Sequence, residues 1–107
     1  MIKKQYIKSR QVYKITFCLT KDELPNEYET KTAHLVGDFN DWDHESIPMT
    51  HLKKGDFKIN IDLKPGQKYE FRYLLNGEKW FNEWEADEYV LGGFGKDNCV
   101  IEIPELP

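Results

Sequence analysis

Hydrophobic and polar residues alternate with a period of two along three stretches of the chain, the spacing of strands with one face turned to a core. In the first, Tyr13, Ile15, Phe17 and Leu19 oppose Val12, Lys14, Thr16 and Cys18. In the second, Phe57, Ile59, Ile61 and Leu63 oppose Lys58, Asn60, Asp62 and Lys64. The third puts Tyr69, Phe71, Tyr73 and Leu75 on one face and Glu70, Arg72 and Leu74 on the other. Shorter strands are expected over residues 32–36 and 98–103, the latter stopped by Pro104 and Pro107. No stretch has helical periodicity.

Turn formers punctuate these strands. Asn76-Gly77 tolerates positive φ at both positions, reverses the chain after the third strand and delivers Trp80, Phe81 and Trp84 onto a return arm. Pro65-Gly66 reads as a type II turn that joins the second and third alternating strands as neighbours, and Gly55-Asp56 as the turn leading into the second. Residues 20–31 form a polar connection broken by Pro25 and Asn26, and Gly37 to Trp42 is dense in turn formers. Past Trp84 the chain is acidic and irregular, then glycine-rich over residues 92–95. Short strands separated by turns predict an all-β fold, an immunoglobulin-like antiparallel β-sandwich. It is expected over residues 11–103, after a solvated basic tail at 1–10 (Lys3, Lys4, Lys8, Arg10) and before a short tail at 104–107.

Composition narrows the function. The 107 residues suit one domain, and a net charge of -4 lacks the positive footprint of a nucleic-acid binder. Cys18 and Cys99 form no metal-like or redox pair and read as buried thiols of a reducing compartment, although adjacent strands could bring them together. Residues 1–10 lack the apolar segment of a secretory signal, so the cytoplasm is the expected location, and no apolar run is long enough to span a membrane.

Catalytic chemistry finds little support. Asp38, Asp41 and Asp43 share one loop and Glu83, Glu85, Asp87 and Glu88 another. A glycosidase needs two carboxyls roughly 5 to 10 Å apart, but loop acids are ordinarily solvated and a small domain has little room for an enclosing cleft. The loop at Asp38 lacks the glycine and the distal glutamate of a calcium loop, His34, His44 and His51 lack metal-ligand spacing, and no serine or cysteine sits in a nucleophile motif. No enzyme activity, metal or cofactor is expected.

What remains is aromatic surface. With Tyr69, Phe71 and Tyr73 claiming the interior, at least one tryptophan is expected outside, and Trp42 between Asp41 and Asp43 is hard to bury. Trp80 and Trp84 each have a second reading, as caps over the end of the sandwich. Sugar rings stack C–H faces on indole while Asn, Arg and carboxylates bond their hydroxyls, so Trp42, Arg72, Trp80 and Asn98 are the candidate site.

The runs Val36-Gly37-Asp38-Phe39-Asn40-Asp41-Trp42, Gly55-Asp56-Phe57, Leu63-Lys64-Pro65-Gly66, Tyr69 to Gly77 with Trp80, and residues 98–103 together resemble the family-48 carbohydrate-binding modules, also called isoamylase early-set or glycogen-binding domains. Such modules precede the catalytic barrel of glycogen branching and debranching enzymes and occur in the β subunits of AMP-activated protein kinase. The likeness spans residues 11–103, and the run Trp80 to Asp87 is similar to that of short free-standing bacterial members. It implies an early-set sandwich that binds an α-1,4-glucan without catalysis. Trp42 and Trp80 would be the stacking platforms, Arg72 the basic residue before the turn, and Asn98 the asparagine opening the last strand. Phe94 is the nearest apolar counterpart of the family's preceding loop, and Trp84 is an addition; both are further candidates. The alternative is an early-set interaction domain without sugar affinity that docks a glycan-metabolising enzyme or another protein.

Overall fold

A computed structural model of the chain describes residues 1–92 and 97–107. Among the described residues nine strands form two antiparallel sheets: β1 (Ile2–Ile7), β2 (Val12–Leu19), β3 (Ala33–Gly37), β4 (Thr50–His51), β5 (Phe57–Leu63), β6 (Lys68–Leu75), β7 (Lys79–Phe81), β8 (Glu88–Leu91) and β9 (Asp97–Glu102). One sheet has the order β1-β2-β5-β4, the other β3-β6-β9-β8, with β7 pairing the end of β6. The protein is an all-β sandwich of immunoglobulin-like type.

The three alternating stretches are β2, β5 and β6, and their apolar faces meet between the sheets. Ile15, Phe17, Leu19, Phe71, Tyr73 and Leu75 are fully buried there with Leu35, Cys99 and Ile101. Phe71 is the aromatic centre, with its ring edge-on to Phe17 at 5.3 Å and to Tyr73 at 5.8 Å. Burying one such ring contributes on the order of 2–3 kcal/mol.

The order of strands corrects the expected pairing of the second and third alternating strands. β5 belongs to one sheet and β6 to the other, so Pro65-Gly66 carries the chain across the sandwich. Gly66 has φ of +72°, and its N–H donates to the carbonyls of Ile103 and Pro104 at 3.0 Å, anchoring the crossing to the end of the chain. The sandwich keeps consecutive amphipathic strands apart here because each already has closer partners, β5 between β2 and β4, β6 between β3 and β9.

The expected N-terminal tail is also corrected. Residues 2–7 form β1, paired along its length with β2 from Ile2↔Phe17 to Ile7↔Val12. Ile2 and Tyr6 pack on the core, and between them Lys4 reaches the opposite sheet, donating to Asp87 Oδ2 and to the Glu102 carbonyl, both at 2.7 Å. A charge turned inward on an edge strand closes the side of the sandwich while discouraging further strand pairing. Two short strands lie where none was expected, β4 after Met49 and β8 in the acidic segment after Trp84. Cys18 and Cys99 are both buried and free. They sit on different faces, Cys18 in register with Lys58 outside one sheet and Cys99 with Phe71 inside the other.

Glu83 is the one buried charged side chain among the described residues, at 1% exposure. Its carboxylate accepts the Tyr73 hydroxyl at 2.7 Å, the Glu85 N–H at 3.1 Å and the Met1 amino group at 3.1 to 3.2 Å. These bonds satisfy a charge that would otherwise be costly in the interior.

Two consequences of this packing are measurable. Burial pushes the Cys99 thiol up to about 11, from an ordinary 9.0, and holds the Tyr73 phenol well above its usual 10.0, helped by the charge of Glu83. Both folded values exceed the unfolded ones, so the stability they contribute is complete below pH 9 and is lost as pH rises toward 11. The unfolding free energy, followed through the urea midpoint, is expected to fall as pH rises from 9 toward 11, with Cys99 accounting for about 2–3 kcal/mol, and Cys99→Ala should flatten part of that decline. Gly37 gives the second test. A Cβ there would stand 2.5 Å from the Glu70 carbonyl and 2.7 Å from Phe71 Cβ, so Gly37→Ala should lower the unfolding free energy by about 1–3 kcal/mol.

Candidate functional site

The site is built on the outer face of the five-stranded sheet. Because β6 alternates, burying Phe71, Tyr73 and Leu75 turns Glu70, Arg72 and Leu74 outward. Register then gives each a neighbour on that face. Glu70 stands opposite Val100 of β9, Arg72 opposite Val36 of β3, and Leu74 between His34 of β3 and Trp80 of β7. Asn98 follows one pleat from Val100 and faces Val90 of β8. Trp80, Arg72 and Asn98 therefore share one face, set by strand pairing alone. Leu74, read as an outward residue, is outward but covered, at 3% exposure.

Trp42 reaches the same region from the loop after β3. Gly37 to Asn40 turn through a short 3₁₀ segment, after which Asp41 and Trp42 both adopt left-handed backbone, φ 56° and 59°. Two consecutive non-glycine residues in this region are strained and persist only when surrounding bonds enforce them. Here the Trp42 N–H donates to the Gly37 carbonyl at 2.9 Å, and Asn40 bridges the loop by donating to the Asp43 carbonyl at 3.0 Å and Ser46 Oγ at 2.9 Å.

Asp38 fixes the indole itself. Its Oδ1 accepts the Trp42 Nε1–H at 2.9 Å and its Oδ2 accepts the Glu70 backbone N–H at 2.7 Å. Glu70 in turn accepts from Asn98 Nδ2 at 3.1 Å. A hydrogen-bonded line thus runs from Trp42 through Asp38 and Glu70 to Asn98.

The second indole has its own supports. The Arg72 guanidinium lies 5.2 Å from the centre of the Trp80 ring, and its Nε donates to Asn82 Oδ1 at 2.9 Å. Asn82 is held by donating to the Asp97 carbonyl at 3.1 Å. His44, from the Trp42 loop, meets the Trp80 ring at 5.1 Å with the planes nearly perpendicular. Burial lowers the Arg72 pKa below the ordinary guanidinium value, yet a guanidinium stays charged at any ordinary pH. Trp42 is half-buried and Trp80 is 39% exposed, so both keep open surface.

All four expected residues, Trp42, Arg72, Trp80 and Asn98, are thus brought to one side of one sheet. Trp84 lies in the connection from β7 to β8 and is 66% exposed, which rules out a cap buried over the sandwich end. Phe94 falls outside the described residues. Asp38, Glu70, His44 and Asn82 are the participants that sequence reading did not select. Glu70 was legible as the strand neighbour of Arg72 with the same outward parity; Asp38 becomes recognisable only once the loop brings it under the indole.

The larger hollows lie elsewhere, about 490 Å³ over the outer face of the four-stranded sheet among Lys3, Lys14 and Lys58, and about 380 Å³ between Tyr28 and His51. Beside Glu70 the hollow is about 280 Å³. Stacking on a flat ring needs an open face more than an enclosed volume, so size does not decide the site. Among the described residues no group of three or more His, Cys, Asp or Glu is placed to hold a metal ion, and no helix is long and apolar enough to cross a membrane.

A sandwich that carries indoles and hydrogen-bonding side chains on the outside of one sheet is built as a binding module. The family model of carbohydrate-binding module 48, the isoamylase N-terminal domain, matches residues 27–90, more than half the chain, and the protein belongs to that family. The matched span holds Trp42, Arg72 and Trp80 and stops before Asn98. Comparison with curated proteins gives no significant match.

Asp38 is expected to set the orientation of Trp42. Replacing it with Asn leaves one acceptor for two donors, so Asp38→Asn should shift the Trp42 indole N–H resonance and lower the folding free energy by about 1–2 kcal/mol, without unfolding the protein. An unmoved indole resonance would show that Asp38 does not hold the ring.

Proposed function

We propose that the protein is a non-catalytic module that binds α-1,4-glucan, an oligosaccharide or polysaccharide of the glycogen or starch type, by stacking glucose rings on Trp42 and Trp80. Arg72 and Asn98 bond the hydroxyls of the stacked residues. The observation that carries this reading is the placement of two partly open indoles on one sheet face, each locked by its own polar partner: Trp42 by Asp38, Trp80 by Arg72. Rings fixed before the ligand arrives lose little freedom on binding, which is what a weak, shallow site needs to retain any affinity. Family membership supports a carbohydrate ligand. The two free buried thiols fit a reducing compartment such as the cytoplasm.

A second reading has its own observation. Trp84, Tyr89 and Leu91 are 66%, 45% and 77% exposed along the segment from β7 to the edge strand β8, more apolar surface than solvation favours. On this reading the domain docks a protein, such as a glycan-metabolising enzyme, through that edge. Trp84 belongs to this surface or serves as an added sugar platform, and Phe94 is the remaining candidate of the glucan reading.

Titration with maltoheptaose and β-cyclodextrin, followed by tryptophan fluorescence and amide shifts, separates the two. A saturable response centred on β6 and β7 and abolished in Trp42→Ala supports the glucan site. Silence at millimolar sugar overturns it and leaves the docking reading, which Trp84→Ala then tests through loss of partner binding.

A further inference from the structure

We propose that Glu70 sets the charge preference of the glucan site, so that the protein takes neutral glucans and rejects those bearing phosphomonoester or uronate groups; the inference rests on the glucan reading above. Glu70 projects from the middle of the outer face, one pleat from Arg72 and in register with Val100. Its main chain is tied to Trp42 through Asp38, and its carboxylate is gripped on one side only, by the Asn98 amide at Oε1. Asn98 is itself closely packed. It packs so closely on Gly92 that a Cβ added there would stand 2.7 to 2.9 Å from its amide atoms. Among the described residues Glu70 Oε2 has no hydrogen-bond donor and no ion-pair partner.

Glu70 borders the 280 Å³ hollow beside the Trp42 loop, which Val90 and Val100 also line. Among the described residues the nearby cations have partners. Lys68 lines the same hollow and pairs at 3.7 Å with Glu88, which lines it too, and Arg72 lies on the Trp80 ring and bonds Asn82 through Nε. Asp38 lines it as well, so three carboxylates, Asp38, Glu70 and Glu88, stand there against one ammonium. On this proposal a sugar stacked on Trp42 extends over the hollow and meets a carboxylate held at one oxygen only. The other oxygen accepts well from vicinal hydroxyls, which are neutral donors, and repels a negatively charged substituent at the same position. Asn98, which gives one amide N–H to Glu70, positions this acceptor in addition to bonding hydroxyls itself.

The test compares maltoheptaose with a monophosphorylated maltoheptaose on the full chain, by calorimetry at low salt and again at about 0.5 M salt. The parent should bind the neutral sugar at least about tenfold more tightly, and the difference should shrink at high salt, where exposed charges are screened. Glu70→Gln keeps the size of the side chain and its bond from Asn98, and should bring the two sugars within about threefold, chiefly by improving the phosphorylated one. Glu70→Lys should invert the preference. Equal binding by the parent, a discrimination that persists at high salt, or one that survives Glu70→Gln unchanged would overturn the role given to Glu70 while leaving the glucan site intact. Failure of the parent to bind even the neutral sugar removes the glucan reading, and this inference with it.

Discussion

The structure depends on the two-residue period of β6. One face supplies Phe71, Tyr73 and Leu75, all fully buried, and the other supplies Glu70, Arg72 and Leu74 to the outer surface. A strand cannot slip by one residue without exchanging these sets, which would drive two charges into the core and expose three large apolar side chains. The core thereby fixes the register of the site. Every neighbour follows from it: Trp80 through Leu74, Val36 through Arg72, Asn98 and Val100 through Glu70. The same strand carries the Tyr73 hydroxyl that holds buried Glu83 and the Glu70 N–H that holds Asp38. The core and the candidate site are two faces of one element.

Much of this was legible because the strands that matter alternate without interruption. β2, β5 and β6 announce themselves, and so does the turn at Asn76-Gly77, whose residues both take positive φ. β1 escaped notice for a physical reason. Its inward positions are Ile2, Lys4 and Tyr6, and the lysine breaks the apolar pattern although its long stem spans to Asp87 of the other sheet. β8 was hidden similarly, as an exposed edge of Glu88, Tyr89, Val90 and Leu91 with little of it buried. The pairing of β5 with β6 was misjudged because a Pro-Gly turn between two alternating strands looks alike in a hairpin and in a crossing between sheets. What separates the two cases is the anchoring of Gly66 to Ile103 and Pro104, a contact between distant parts of the chain.

The site shows the same division. Trp42, Arg72, Trp80 and Asn98 could be chosen by residue type and position, since exposed indoles flanked by polar residues are uncommon. The groups that orient them could not. Asp38 is one acid among several in its loop until the left-handed pair Asp41 and Trp42 folds the indole back onto it. Asn82 matters only because Arg72 needs an acceptor at 2.9 Å, and His44 only because its loop crosses Trp80. Supporting contacts of this kind arise from tertiary geometry, and local sequence carries no sign of them.

The acidic stretch after β7 is divided between the two roles. Glu83 turns in and is used up by Tyr73, the Met1 amino group and the Glu85 N–H, while its own backbone carbonyl accepts the Tyr89 hydroxyl. Asp87 closes the sandwich by holding Lys4 and the Glu102 N–H. Both carboxylates are therefore consumed by the fold, which argues against reading this segment as a second acidic ligand site. Trp84, between them in sequence and 66% exposed, has no such structural employment. Anchored at Glu83 on one side and Asp87 on the other, it is presented on a short, tethered segment. Fixed flanks and a free ring are what either proposed use of Trp84, as an added sugar platform or as part of a docking edge, requires.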